Sequence, residues 1–393
     1  MPPLILASAL LEGLALTLIQ GYLPLYVRQT LGEPHFVTVA LVVAVPALGT
    51  AIAGNFWGGL SDVSGKLKPM VLIGLVGYAG ALAWIPTLRQ GFVVLLYVGA
   101  ASLLFGTLAP SLKTYVTLLR PDRKEHSLAY LLMSQSCGWL LGSFGAGWLL
   151  EGGIGPGLHL ALWTCAALLA AHAVLCAFRL RDLVREPIVL RDRLGWLEGL
   201  MQDLRSLYEN PKLLRLCILS FLFVSGNYTV WGFFAVYLVE RLGADIQTLR
   251  YALAASATLG LAAFLFVGPL VRRFGGRAVL AVGLTLYLLM YLGMGLSRSP
   301  LAVAAFFAIP LYGMVNVSTN SLASEYSSAG QRGGGLGVLS GAYALASIAG
   351  PVTGGLLADR FGLGVIPWVG LAFMSVAGPL AWAQVVAGRR KPA

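Results

Sequence analysis

A carboxylate set inside an apolar run is the group in this chain best placed to do chemistry. Glu12 is the acidic residue that falls near the middle of such a run, the first one, about residues 3 to 27. An ionisable side chain at that depth is costly, and it implies a function by default. It can take up a proton on one side and release it on the other, or it can be held in a static pair with another polar side chain. On a regular helix Glu12, Ile19, Leu23 and Tyr26 would share a face, since steps of seven, four and three return to one side.

Other polar residues inside apolar runs form a second set. Gln20, Tyr22 and Tyr26 accompany Glu12 in the first run, and Gln135 lies with Trp139 in the fifth. Asn227 and Trp231 are one turn apart in the seventh, and Asn316 and Asn320 are one turn apart in the tenth. Together they would line a cavity of amides and rings with one carboxylate, although Trp139 and Trp231 would serve equally well in plain helix packing. His172, alone in the sixth run, suits an interhelical hydrogen bond better than a functional role.

The elements that must carry these residues are set by composition. Of 393 residues 58% are hydrophobic and 11% charged, far from the quarter or so of charged residues in a soluble globule. The apolar residues come in continuous blocks of about twenty, which is the length of a membrane-crossing helix. Continuous runs rather than ten-residue alternation exclude a transmembrane barrel, so helices must satisfy the backbone. Spans are expected near 3–27, 37–59, 70–88, 92–118, 128–150, 158–178, 213–238, 248–271, 278–296, 300–323, 333–357 and 365–386. Without an Ala-x-Ala site the first run is expected to be a span and not a cleaved leader.

The expected fold class is therefore an all-α integral membrane protein of twelve helices in two pseudo-symmetric six-helix bundles. The bundles are residues 1–178 and 213–393, joined by a linker at 179–212 in which Leu194 to Tyr208 has the spacing of an amphipathic surface helix. With the N-terminus inside, the outer side holds Arg28, Arg89, Arg241, Arg250, Arg298 and Arg360, leaving 21 of the 27 Lys and Arg on the inner side. That bias puts both termini in the cytoplasm.

Several chemistries are excluded or weak. The net charge of +11 comes without a basic patch interleaved with exposed aromatics, so nucleic acid is not expected as a partner. Cys137, Cys165, Cys176 and Cys217 lack disulfide or metal spacing, and no metal or cofactor is expected. A membrane-embedded enzyme finds no support, since no H-E-x-x-H, Walker loop or Gly-x-Ser-x-Gly occurs.

An internal repeat organises the chain. Gly58-Gly-Leu-Ser-Asp-Val-Ser-Gly-Lys-Leu-Lys68 recurs, altered, as Gly268-Pro-Leu-Val-Arg-Arg-Phe-Gly-Gly-Arg277, an offset of 210. Gly21 to Gly32 aligns with Gly232 to Gly243 at 211, and Gly142 to Gly147 with Gly350 to Gly355 at 208. An even number of spans in each half makes the repeat parallel. In the loop, Gly58 and Gly65 allow close approach and a tight reversal, and Asp62 can accept backbone N–H groups at a neighbouring helix start.

These residues resemble the major facilitator superfamily of secondary transporters over essentially the whole chain. Gly58, Leu60, Asp62, Gly65 and Lys66 match its loop between helices 2 and 3, except that Val63 stands where an arginine is usual and Arg272 where the second copy would keep an aspartate. The resemblance implies that helices 1, 4, 7 and 10 surround a central cavity. It also implies that Asp62, with Gly58, Gly65 and Lys66, latches one conformation against the start of helix 11 at Gly333–Gly337. The arginine that such transporters often carry in helix 4 is Ser102 here, with Lys113 near the inner end of the same span free to snorkel. Antiporters of the superfamily often carry Gly-Pro-x-x-Gly-Gly in helix 5. Here Gly350, Pro351, Gly354 and Gly355 complete that motif in helix 11, as a natural flexing seam.

The implied function is secondary active transport of small organic solutes by rocking of the two halves. Proton-coupled efflux of amphiphilic compounds or sugars is expected, with Glu12 as the coupling residue, sodium as the other candidate ion, and a monomer in the cell membrane. A proton-coupled importer or a lipid flippase of the same fold is the alternative, and a non-transporting sensor a distant one.

Overall fold

In the computed structural model, which describes residues 2–119, 124–183, 210–327 and 332–389, the backbone is helical throughout, with turns between helices. The helices are α1 Pro3–Gln29, α2 Phe36–Ser64, α3 Lys68–Trp84, α4 Gly91–Leu119, α5 Lys124–Leu150 and α6 Ile154–Arg179. After the linker come α7 Pro211–Arg241, α8 Ile246–Phe274, α9 Gly276–Leu296, α10 Pro300–Tyr326, α11 Arg332–Phe361 and α12 Ile366–Arg389. Among the described residues ten helices are long and apolar enough to cross a membrane, and the two arms of α8 make an eleventh. The remaining helix is α5, 27 residues long, whose apolar character is diluted by Ser134, Gln135, Ser136 and Ser143. The amphipathic stretch expected at Leu194 to Tyr208 lies outside the described residues.

The turns carry the repeat into three dimensions. Among the described residues six glycines have left-handed backbone, and they fall into three pairs: Gly32 and Gly243 (φ 67 and 68), Gly65 and Gly275 (65 and 83), and Gly153 and Gly362 (127 and 80). By subtraction the offsets are 211, 210 and 209, against 211, 210 and 208 for the sequence repeat. A side chain would strain each of these turns, which fixes glycine there. Helix starts are marked too: Asn210 Oδ1 accepts the Leu213 N–H at 3.2 Å with Pro211 in the first turn, and Ser299 Oγ accepts that of Ala302 at 3.4 Å with Pro300.

Prolines bend the spans. Pro24 cannot donate to the Gln20 carbonyl, and the backbone widens to a π turn at Thr17–Tyr22. That turn overturns the single face expected for Glu12, Ile19, Leu23 and Tyr26, because the extra residue rotates the downstream part of the helix by roughly 100°. Pro310 breaks α10 between Phe307 and Tyr312. Pro269 removes the bond to Leu265, and α8 bends by 47° between its arms Ile246–Ala263 and Leu265–Phe274.

The chain forms two compact units. One is Met1–Leu194 together with Asp245–Ala257, and the other is Gly195–Ala244 with Thr258–Ala393. The first arm of α8 thus belongs mostly to the unit built from the N-terminal half.

Candidate functional site

Glu12 stands beside a tight seam of the first unit. A methyl on Gly13 would collide with the Gln135 carbonyl, and one on Gly138 with the Leu10 carbonyl, so α1 and α5 meet backbone to backbone. Side chains stitch the same seam: Ser134 Oγ donates to Leu6 O at 2.7 Å, Thr17 Oγ1 to Trp139 O at 3.2 Å, and Tyr22 OH to Ser143 O at 2.7 Å. Glu12 is only 4% exposed. Lys113 of α4, expected to snorkel, is exposed.

The other α1 and α5 candidates divide by depth. Gln20, Gln135 and Trp139 are half-buried, whereas Tyr22 and Tyr26 are fully enclosed. The Tyr26 hydroxyl lies 2.8 Å from His159 Nε2, with the two rings edge to face. His172 ties α6 to α1, its Nε2 2.9 Å from Ser8 Oγ and 3.1 Å from Leu4 O, the interhelical hydrogen bond expected of it.

Ser102, at the place of the family's helix 4 arginine, is fully buried and donates to Gly99 O at 2.6 Å. A methyl on Gly49 of α2 would collide with its Oγ, and one on Gly106 would come within 2.7 Å of the Thr50 Cα. The α2–α4 crossing has closed over the position, and no long cationic side chain fits there.

In the second unit the candidates form an uncharged set of amides and rings. Tyr291 OH donates to Asn227 Oδ1 at 3.4 Å, Asn316 Nδ2 to Tyr312 OH at 3.2 Å, and Asn320 Nδ2 to Asn316 O at 2.7 Å. Trp231 stacks on Phe307 with centroids 5.2 Å apart, and Phe307 stacks on Phe234 at 3.5 Å. Thr319 Oγ1 and Tyr343 OH lie 2.7 Å apart, joining α10 to α11.

The motif at Gly350, Pro351, Gly354 and Gly355 lies on α11 where it crosses α7. A methyl on Gly350 would collide with the Ser225 carbonyl, and one on Gly354 would sit 2.5 Å from Thr229 Cγ2. Gly350 and Gly354 of the motif expected as a flexing seam are thus contact points of a close helix crossing.

Around the loop between α2 and α3, Gly65 ends α2 in the left-handed conformation, Lys66 is exposed, and Gly58 meets open space. The side chains of Asp62 and of residues 332–336 lie outside the described residues, and so does the latch expected between them. Sequence reasoning missed the carboxylate that does cap a helix here: Asp182 Oδ1 accepts the Leu67 and Lys68 N–H groups, each at 3.0 Å. Lys68 Nζ donates to Ala177 O at 2.6 Å and Tyr115 OH to Arg181 O at 2.9 Å, which binds the ends of α3, α4 and α6. The one available signal was Asp182 in the basic stretch Arg179-Leu-Arg-Asp.

Two helical units built on one repeat, with a carboxylate buried in the first and an amide–aromatic set in the second, are the architecture of a polytopic membrane protein. A family model described as "MFS_1 like family" matches residues 14–366, and the chain belongs to that family. Among its relatives is "Multidrug resistance protein MdtG" of Klebsiella pneumoniae (strain 342), 27% identical over 303 residues that cover 74% of this chain and 70% of the relative. The protein of that name from Escherichia coli O9:H4 (strain HS) is 25% identical over 313 residues, 74% and 71% of the two chains. Solved structures share the fold. A bacterial homolog of the human lysosomal transporter Spinster, inward-facing and unoccupied, gives a TM-score of 0.80 at 14% identity, over 97% of this chain and 96% of that one. The D323A mutant of the nucleoside transporter NupG gives 0.74 at 17%, over 98% and 99%.

Proposed function

We propose that this transporter exports small organic solutes by alternating access, with protons as the coupling ion. Glu12 carries that reading. It is a carboxylate buried on α1, so that taking up or losing its proton changes the balance of charge inside the first unit.

For the solute, the uncharged partners Asn227, Trp231, Asn316 and Asn320 suit amphiphilic compounds or sugars better than a phosphate ester, which would want paired arginines. Gln20, Gln135 and Trp139 are the matching candidates in the first unit, and the enclosed Tyr22 and Tyr26 support the wall behind them. The name "multidrug resistance" borne by relatives at 25–27% identity favours export of drug-like solutes. We place the protein in the cell membrane as a monomer with both termini cytoplasmic, and we propose that Asp62 and Lys66 latch one of its states.

The test has two stages. A thermal-stabilisation screen of purified protein across drugs, sugars and lipids finds ligands, because a ligand of the folded state raises its apparent melting temperature. Hits are then assayed in proteoliposomes under an imposed pH gradient. Uphill movement that collapses with the gradient supports the proposal, and movement that tracks a sodium gradient alone contradicts it.

A further inference from the structure

Away from Glu12 and the amide set, α3 and α4 hold between them a groove of about 670 Å³. Its shape follows from glycine. A methyl on Gly74 would lie 2.7 Å from Leu108 Cβ, and one on Gly77 2.8 Å from Phe105 N, so the two helices touch closely there. A turn further on, a methyl on Gly80 would meet nothing within 4 Å. Tyr97 reaches across from α4 at that level, its hydroxyl donating to Gly80 O at 2.8 Å. The groove thus opens where the glycine contacts end. Gly80 and Ala100 line it, with Val76 of α3 and Leu104 of α4 standing out beside them, 59% and 47% exposed.

Depth, chemistry and shape define what fits. The exposed rings of Trp84 on α3 and Trp163 on α6, whose Nε1 donates to Ala83 O at 3.2 Å, mark the interface end of these spans. Counted inward from Gly91, where α4 starts, Tyr97 to Leu104 lies at roughly 9 to 20 Å, against about 15 Å of hydrocarbon in one leaflet. The groove therefore runs at the depth of the lipid chains.

Among the residues that line it, the Tyr97 hydroxyl is the sole polar side-chain group, and Gly80 O already accepts its hydrogen. A polar solute would lose its own hydrogen bonds on entering, and hydrocarbon would lose none. A helix of a second copy needs small residues as the outermost surface. Here the projecting Val76 and Leu104 would hold a cylinder about 10 Å wide off the floor. A slender methylene chain can enter and gain dispersion contacts along the floor.

We propose that this groove is a binding site for one acyl chain of a membrane phospholipid, taken from the leaflet on the side of the α3–α4 turn. Bound there, the chain fills the space between the diverging helices and supports the α4 arm Gly91–Phe105. The site stands apart from the direction and coupling of transport, and its test uses neither solute nor gradient.

The test is photolabelling of the purified full chain in phosphatidylcholine nanodiscs, where a small fraction of the lipid carries a diazirine midway along one acyl chain, with the adducts located by peptide mass spectrometry. Labelling of the groove is expected to exceed that of the exposed α12 face at Val376 and Leu380 by about fivefold, through the better packing of the chain. Ala100→Phe fills the groove from an exposed position and should bring its labelling down to the α12 level. Should Ala100→Phe fail to fold, Gly80→Leu decides, because a side chain there enters open space. Equal labelling of the two faces in the parent, unchanged groove labelling in the folded variant, or a dimer whose groove is shielded from the lipid would each overturn the proposal.

Discussion

Asp182 and Lys68 join the end of α6 to the start of α3: one carboxylate oxygen accepts the Lys68 N–H at 3.0 Å and also that of Leu67. The first turn of a helix presents such unsatisfied donors, and its dipole favours a negative charge there. Asp182→Ala is expected to cost about 1 kcal/mol of stability, and Asp182→Asn roughly half of that. A thermal melt of each purified variant measures it, and an unshifted midpoint for Asp182→Ala would show that the contact does not support α3.

Gly350 packs against the Ser225 carbonyl with no space for a methyl. Gly350→Ala must therefore push α11 away from α7, at about 1–3 kcal/mol, the range for overpacking a tight interior. Gly341 on the same helix meets open space, so Gly341→Ala should leave the melting temperature unchanged. Equal behaviour of the two variants would contradict the close crossing.

Ser102→Arg would restore the residue usual at this place in the family. With Gly49 and Gly106 closing over the position, the arginine has nowhere to go, and the expected result is loss of folded protein rather than gain of coupling. Monodisperse elution at parental yield would show that the crossing can open.

Asp245 precedes α8, and its bonds to the Thr248 hydroxyl and N–H, the latter at 2.8 Å, hold its carboxyl below the usual range. Linkage sets the sign: a carboxyl depressed in the folded state contributes stability above the ordinary carboxylate range, and the contribution is lost as pH falls through the depressed value. The start of α8 should therefore loosen only in acid below about pH 4. Hydrogen exchange at Thr248 compared with Asp245→Ala reads this, and the variant should show no such acid-dependent step.

Much of the fold was legible because a membrane span writes itself in one dimension, as an apolar run closed by polar residues. The repeat was legible for a similar reason: Gly32, Gly65 and their partners Gly243 and Gly275 are demanded by turns, and turns are local. Glu12 stood out because burial of a carboxylate is costly wherever it occurs. What stayed hidden depends on separation in the chain. Nothing near Tyr22 announces Ser143, and nothing near Leu67 announces Asp182, since each pair is made by segments returning from a distance. The π turn upstream of Pro24 was hidden for another reason, as a proline can be met by a kink, a wide turn or a break. The closing of Ser102 was legible only as a missing arginine; its cause, Gly49, lies on another helix.

Glu12→Gln in proteoliposomes bears most directly on proton coupling, using a solute found by the stabilisation screen. A neutral amide at that position cannot exchange a proton, so uphill accumulation driven by a pH gradient should be abolished while solute counterflow at equal pH continues. Accumulation by Glu12→Gln that equals the parent would contradict the account.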